Sequence, residues 1–492
     1  MKRIGLLLIA IAAVVTLHAQ EKEIEIDGAW MKKHYSKAEY MVPMSDGVKL
    51  YTAVYAPKNK KIKSPILLCR TQAGCEPYGK KAVALWRDDI YQQYLQSEYI
   101  LVFQDVRGKG NSEGVCDMMQ AENDAYSTVE WLQRKLRRHN GRVGVWGVGG
   151  DGGYAMTAAT CGHPAIKAVS PQAIFSTVAL NKPLTSAMMF VGGLFDSESK
   201  DSAWYAYDAV KSTSPNVNSR LVVGPWLHNV WRQNGAGVEL GEIYLAEEAN
   251  SNFYQNEIEY PFFDHYLRGD EVAYNSCAGA LIYFTGENCW REILGWSRDV
   301  AVSYVLYFGE QESLASQKSD EVNSFSIYES DPENPVPYYY DLKEPIKEEW
   351  VVASQQFLAR RDDVLTFSSS VLEHDITAVG EIEVELYAQL PHDKVDFVVK
   401  IIDEAPNGES EMMVRCGVMP KESVEYEMCG DVRKYKFVLP SVAHTFLEGH
   451  TIKVQLQNSL YPLCPSEKGE PYQVKIYHDV EYPSSVKFSI LK

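Results

Sequence analysis

The stretch that most constrains this chain is Arg142-Val143-Gly144-Val145-Trp146-Gly147-Val148-Gly149-Gly150-Asp151-Gly152-Gly153-Tyr154. A β-branched run that closes in a glycine cluster and continues into a helix reads as a sharp strand-to-helix turn, where the backbone folds too tightly for flanking Cβ atoms. Such turns stand at the carboxyl edge of a parallel sheet and lift their apex residue into the crevice above it. The spacing puts Gly149 at the apex, so this turn offers no side chain. Asp151 follows two residues later, at the positive end of the helix.

The runs on either side define the sheet. Residues 65–70, 99–105, 143–148, 166–170, 187–193 and 220–224 are short and continuously apolar, as strands buried on both faces of a parallel sheet must be. Between them, Ala125, Val129, Leu132 and Leu136 recur at helical spacing over residues 123–138, and Asn140-Gly141 supplies the stop. Strands alternating with helices predict an α/β fold with a doubly wound parallel sheet. A hairpin precedes it, Tyr40–Met44 turning at Ser45-Asp46-Gly47 into Val48–Tyr55, and an aromatic helix over residues 261–268 closes the layer. Beyond about residue 275 the texture changes to short alternating runs, such as 280–285, 382–387, 397–402 and 452–457, which predict an antiparallel β-sandwich. Residues 309–360 read as long loops over it. The expected organisation is a leader at 1–19, an N-terminal arm at 20–39, the α/β domain at 40–272 and the sandwich at 273–492.

A chain of 492 residues suits two or three domains with full cores. A net charge of −18 argues against nucleic acid or an anionic membrane as partner, because both recruit clustered Lys and Arg. Lys2 and Arg3 precede an apolar run to about Leu17 and then His18-Ala19-Gln20, the pattern of a cleavable signal peptide with the mature chain beginning near Gln20. No later run approaches the length of a spanning helix, so the expectation is export to the periplasm or beyond without an integral membrane anchor. Nine cysteines lie scattered without C-x-x-C spacing, which reads no metal site, and no cofactor is expected. Cys69/Cys75 and Cys416/Cys429 are close enough in sequence to pair in an oxidising compartment.

Several stations, in order, resemble one family. They are Asp46–Leu50, the D-x-R-G-x-G-x-S-x-G run Asp105–Gly114, the glycine turn, Gly192-Gly193-Leu194-Phe195-Asp196, Gly224-Pro225-Trp226-Leu227-His228, Asp362–Phe367 and Pro440–His444. Together they resemble the CocE/NonD hydrolases, which include cocaine esterase, α-amino-acid ester hydrolases, cephalosporin acylases and X-Pro dipeptidyl-peptidases. The resemblance implies an α/β-hydrolase domain followed by a galactose-binding-like jelly roll, and ester or amide hydrolysis by a Ser-His-Asp triad. It places Asp196 as the triad acid and His228 as the base, with Gly149 where the nucleophilic serine stands. It also implies an oxyanion tyrosine where this chain has Ala73, with Tyr78 closer to the family's second tyrosine. Only residues 150–195 separate Gly149 from Asp196, which leaves no room for the family's helical cap.

Three functional readings follow. The first is an exported homologue that has lost serine hydrolysis and acts through an unidentified ligand or protein partner. The second takes Gly149-Gly150-Asp151-Gly152-Gly153 as a slipped turn with Asp151 as nucleophile, against the plainer reading of Asp151 as a helix cap. The third lets His228 and Asp196 activate a water against a small acyl ester, amide or peptide. The glycine run at 105–114 lacks the Lys-Ser/Thr pair of a phosphate loop and reads as a structural turn. Oligomeric state is not fixed by the sequence.

Overall fold

The computed structural model describes residues 26–83, 89–175, 182–269, 279–294, 301–392, 394–423, 425–464 and 469–491. The leader assigned to residues 1–19 lies outside these, as do the domain boundary at 272/273 and Cys277. Eight strands build the first sheet in chain order: β1 (Tyr35–Pro43), β2 (Lys49–Pro57), β3 (Ser64–Thr71), β4 (Ile100–Asp105), β5 (His139–Val148), β6 (Ile166–Gln172), β7 (Ala187–Gly193) and β8 (Ser219–Gly224). Their lateral order is β1-β2-β4-β3-β5-β6-β7-β8, with β4 through β8 parallel. The six continuous apolar runs of the sequence are these six central strands. Burial on both faces explains them: Leu68, Val102, Val145 and Val223 face one core, while Leu67, Leu101, Trp146 and Val222 face another.

Helices cover both faces, as an α/β sheet requires. α1 spans Gly28–His34, α2 Gln92–Gln96, α3 Ala121–Lys135, α4 Gly150–Thr160 and α5 Ser202–Thr213. α3, α4 and α5 bury Val129, Ala155 and Tyr207 on the first face. Met31 of α1, Leu95 of α2 and the aromatic helix Tyr260–Arg268 pack on the second. α3 stops at Lys135 rather than at Arg138, because Leu136 turns to extended backbone and Arg138 to positive φ before β5 begins at His139. β1 starts at Tyr35, inside the stretch expected as an arm, since its residues pair with β2 as far as Pro57.

The alternating run at 280–285 belongs to the first sheet and not to the sandwich where it was expected. The hairpin Gly279–Phe284/Cys289–Leu294, whose alternation suggested the sandwich, extends the first sheet: Gly279–Ile282 pair in parallel with Arg220–Val223 of β8. Alternation reports one solvated face, and an edge hairpin shows it as readily as a sandwich strand does. The second sheet begins at Val302–Gly309 and holds twelve strands. Nearly all pair antiparallel around a core that includes Phe367, Leu386, Phe397, Ile401, Val454 and Phe488. The described residues leave Cys69, Cys75, Cys416 and Cys429 as free thiols, so neither proposed disulfide is formed.

The two layers meet behind the loop that follows β7. Arg415, buried on the sandwich strand Glu411–Met419, donates to Leu194 O at 2.7 Å and to Ser441 O. Asp201, just before α5, accepts from Ser441 N at 2.8 Å. Arg415→Met would leave both carbonyls buried without donors, so we expect a loss of about 2–4 kcal/mol, read as a lower midpoint in chemical denaturation. Faster hydrogen exchange over residues 194–199 is expected to accompany it.

Candidate active site

β5 ends at Val148 and α4 begins at Gly150, which leaves Gly149 alone at the turn with φ 58° and ψ −121°. This backbone is open to glycine and strained for other residues. Two neighbours are glycine because of close approach. A Cβ on Gly147 would lie 2.3 Å from Asp151 O, and one on Gly152 2.6 Å from Gln172 O. The turn is pinned to β6 through Gly149 N–H donating to Gln172 O at 2.9 Å.

The loops after β7 and β8 bring Asp196 and His228 to this turn. Asp196 Oδ2 receives His228 Nδ1 at 2.9 Å. The same carboxylate accepts the hydroxyl of Ser199 at 2.6 Å and the backbone N–H groups of Glu198 and Ser199 at 2.9 Å each. Burial works to raise the Asp196 carboxyl, but the bonds from His228 and Ser199 prevail and hold it below the usual carboxylate range. The hydrogen bond to Asp196 raises His228 above the ordinary histidine value, against the effect of its partial burial and with added attraction from Glu198 and Glu348. Glu198 Oε2 stands 3.7 Å from His228 Nε2.

A Cβ built on Gly149 would lie 3.8 Å from His228 Nε2, so the apex, imidazole and carboxylate line up as a nucleophile, base and acid would. The volume is occupied. The same Cβ would sit 2.8 Å from Cε2 of Phe175, whose ring stacks on His228 with centroids 5.6 Å apart and planes 21° apart. Phe175 is otherwise exposed and follows β6 in irregular chain, where no periodicity singles it out.

Other expected participants lie apart from this line. Asp151 is the second residue of α4 and its Oδ1 accepts Gln72 N–H at 2.8 Å, so its carboxylate ties the helix start to the loop after β3. The turn apex is Gly149 and the strand does not run on two residues, which removes the slipped alignment that would make Asp151 the nucleophile. Ala73 carries no donor side chain, and Tyr78 spends its hydroxyl on Asp105 Oδ2 at 3.0 Å. The Gln72 carboxamide lies over Gly150, a neighbour the sequence gave no reason to expect. Residues 173–186 connect β6 to β7, too short for a helical cap. No group of three or more potential metal ligands occurs among the described residues.

Known proteins share this arrangement of domains. The family model for X-Pro dipeptidyl-peptidase (S15 family) matches residues 46–181, and that for the X-Pro dipeptidyl-peptidase C-terminal non-catalytic domain matches residues 275–486. Cocaine esterase of Rhodococcus sp. (strain MB1 Bresler) is 24% identical over 544 residues, spanning 87% of this chain and 92% of the esterase. The chain belongs to the CocE/NonD hydrolase family.

Several solved structures share the fold across nearly the whole chain. An aminopeptidase from a marine sediment archaeon, Thaumarchaeota archaeon, superposes with a TM-score of 0.82 at 24% identity, covering 96% of this chain and 100% of the other. An α-amino acid ester hydrolase gives 0.81 at 24% identity, with the same coverages. A CocE/NonD family hydrolase from Staphylococcus aureus gives 0.65 at 14% identity, covering 93% of each chain. CocE/NonD proteins are ester and peptide hydrolases.

The Asp196–His228 pair has a pH signature. His228, raised in the folded state, contributes its full stabilisation below the unfolded value of 6.5 and loses it as pH rises through the folded value. Asp196, lowered in the folded state, contributes above 3.8 and loses that contribution as pH falls through its folded value. The pair is therefore fully effective between pH 3.8 and 6.5. His228→Gln is expected to destabilise the protein by about 1–2 kcal/mol at pH 5.5 and by much less at pH 9, measured by thermal denaturation at both.

Proposed function

We propose that this chain is an exported CocE/NonD homologue that has given up serine acyl hydrolysis while keeping the acid and base of the ancestral site. One observation carries the reading. The apex of the turn is Gly149, and the space a nucleophile's side chain would fill is taken by the edge of Phe175.

Acyl hydrolysis by this family's chemistry needs an atom that attacks the carbonyl carbon, a base that takes its proton and donors that hold the developing oxyanion. Glycine supplies no attacking atom. Loss of a serine nucleophile from a triad enzyme slows it on the order of 10⁶-fold. An oxyanion donor contributes about 3–4 kcal/mol, and Ala73 has no side-chain donor to offer. His228 sits between Asp196 and Glu198, and both carboxylates favour its protonated form. These features bear on the same reaction from separate sides.

Export rests on the Lys2-Arg3 start, the apolar run to Leu17 and the small residue Ala19. The ligand of the silent site belongs to the chemistry its crevice inherits, a small acyl ester, amide or peptide, or else to a protein partner that docks where a cap would lie. A mature chain beginning near Gln20 is expected on mass spectrometry of the secreted or periplasmic protein.

A fluorophosphonate probe, with a panel of aryl, aminoacyl and acylamino esters, tests the loss of catalysis. The natural protein is expected to show neither labelling nor turnover. Gly149→Ser combined with Phe175→Ala restores the hydroxyl and clears its space, and is expected to gain labelling that disappears on adding His228→Gln. Turnover by the natural protein that depends on His228 would overturn the reading and favour a His228-activated water.

A further inference from the structure

His228 and the glycine turn stand on separate loops, and something must fix their separation. Beneath them lies a buried polar cluster that the proposed chemistry does not use. Gln172, the last residue of β6, is fully buried. Its carboxamide donates from Nε2 to Glu259 Oε2 at 2.8 Å and to Ser170 Oγ at 3.0 Å, and its Oε1 accepts the indole N–H of Trp231 at 2.8 Å. The amide can face only one way. Indole N–H is a donor alone and an ionised carboxylate an acceptor alone, so exchanging oxygen and nitrogen would break both bonds.

Two of these partners, Trp231 and Glu259, lead to the His228 loop. Trp231 and Arg232 lie three and four residues beyond His228 in one short turn, Val230–Arg232. Arg232 Nη1 reaches both carboxylate oxygens of Glu259, at 2.6 and 2.7 Å, and its guanidinium covers the Trp146 ring at 4.0 Å. Trp146 belongs to β5, three residues before Gly149. Glu259 closes a π-helical segment, Tyr254–Glu259, whose wider turn puts residues five apart on one face, and Tyr254 donates its hydroxyl to Glu259 at 2.9 Å. Gln172 also acts through its backbone, because its carbonyl receives Gly149 N–H at 2.9 Å.

We propose that Gln172 is the positioning residue of this site, holding the His228 loop through its side chain and the Gly149 turn through its carbonyl, so that imidazole and turn apex keep one fixed separation. The inference rests on reading Asp196 and His228 as the site's acid–base pair, and it holds whether or not the site turns anything over. A shared anchor suits the task. Two loops tied to separate scaffolds would drift by fractions of an ångström, whereas two bonds to one residue move together.

The test follows His228 by NMR in the full mature chain carrying isotope-labelled histidine. Asp196, Glu198 and Glu348 are the charged groups that set its titration. The natural protein is expected to show a titration above 6.5 and a downfield Nδ1 proton from the bond to Asp196. Gln172→Met keeps length and apolar volume while removing all three side-chain bonds, and Trp231→Phe removes only the indole donor should the first variant fold poorly. In either, the His228 titration is expected to fall toward 6.5, with the downfield proton broadened or lost. A lower Tm with an unchanged His228 titration and an unchanged downfield proton would overturn the proposal and leave Gln172 a packing residue. A natural protein whose His228 already titrates at 6.5 would instead overturn the acid–base reading beneath it.

Discussion

The architecture of the site depends on one close approach, that of the β5–α4 turn to the end of β6. Gly147 and Gly152 have no room for a Cβ, and Gly149 adopts a backbone that disfavours one. The turn is bound through its own N–H to Gln172 O. Once it is packed this way, α4 leaves the sheet at a fixed angle and Asp151 falls where it can bond the loop after β3. The loops after β7 and β8 then reach the same edge because their strands are next in the sheet. The turn keeps its shape without any side chain at its apex.

Much of this was legible in the sequence because it follows from burial and from glycine. Continuous apolar runs marked six parallel strands, since both of their faces are covered. Glycine spacing marked the turn, and Gly192–Asp196 and Gly224–His228 marked the two loops that meet beside it. What stayed hidden follows from contacts between distant residues. Phe175 reaches Gly149 across the crevice, Gln72 settles over Gly150, and Glu259 meets Arg232 from a different element. None of these repeats with a period or sits in a motif. The hairpin at Gly279–Leu294 misled because alternation records exposure of one face and not which sheet the strand joins.

Phe175 and the short β6–β7 connection belong together physically. Gly149 is buried in the turn, while the His228 ring keeps part of its surface exposed. Phe175 covers part of that surface from within the chain by stacking on the imidazole. A protonated His228 favours this contact, because the face of an aromatic ring attracts a cation. Phe175 thus fills the space beside Gly149 and covers one face of the His228 ring.

The pairing of Asp196 with His228 beside an apex without a side chain has a sufficient explanation in folding stability. Asp196 is held by Ser199 and by the backbone N–H groups of its own loop, and that loop is clamped from behind by Arg415 of the sandwich. His228 is carried on a turn anchored by Trp231 and Arg232 to Gln172 and Glu259. A buried carboxylate left without its imidazole would lose a charge-assisted bond worth about 1.5–3 kcal/mol. The turn apex is under no comparable constraint, since glycine adopts this backbone more easily than other residues do. Folding stability therefore accounts for the Asp196–His228 pair without reference to what stands at the apex.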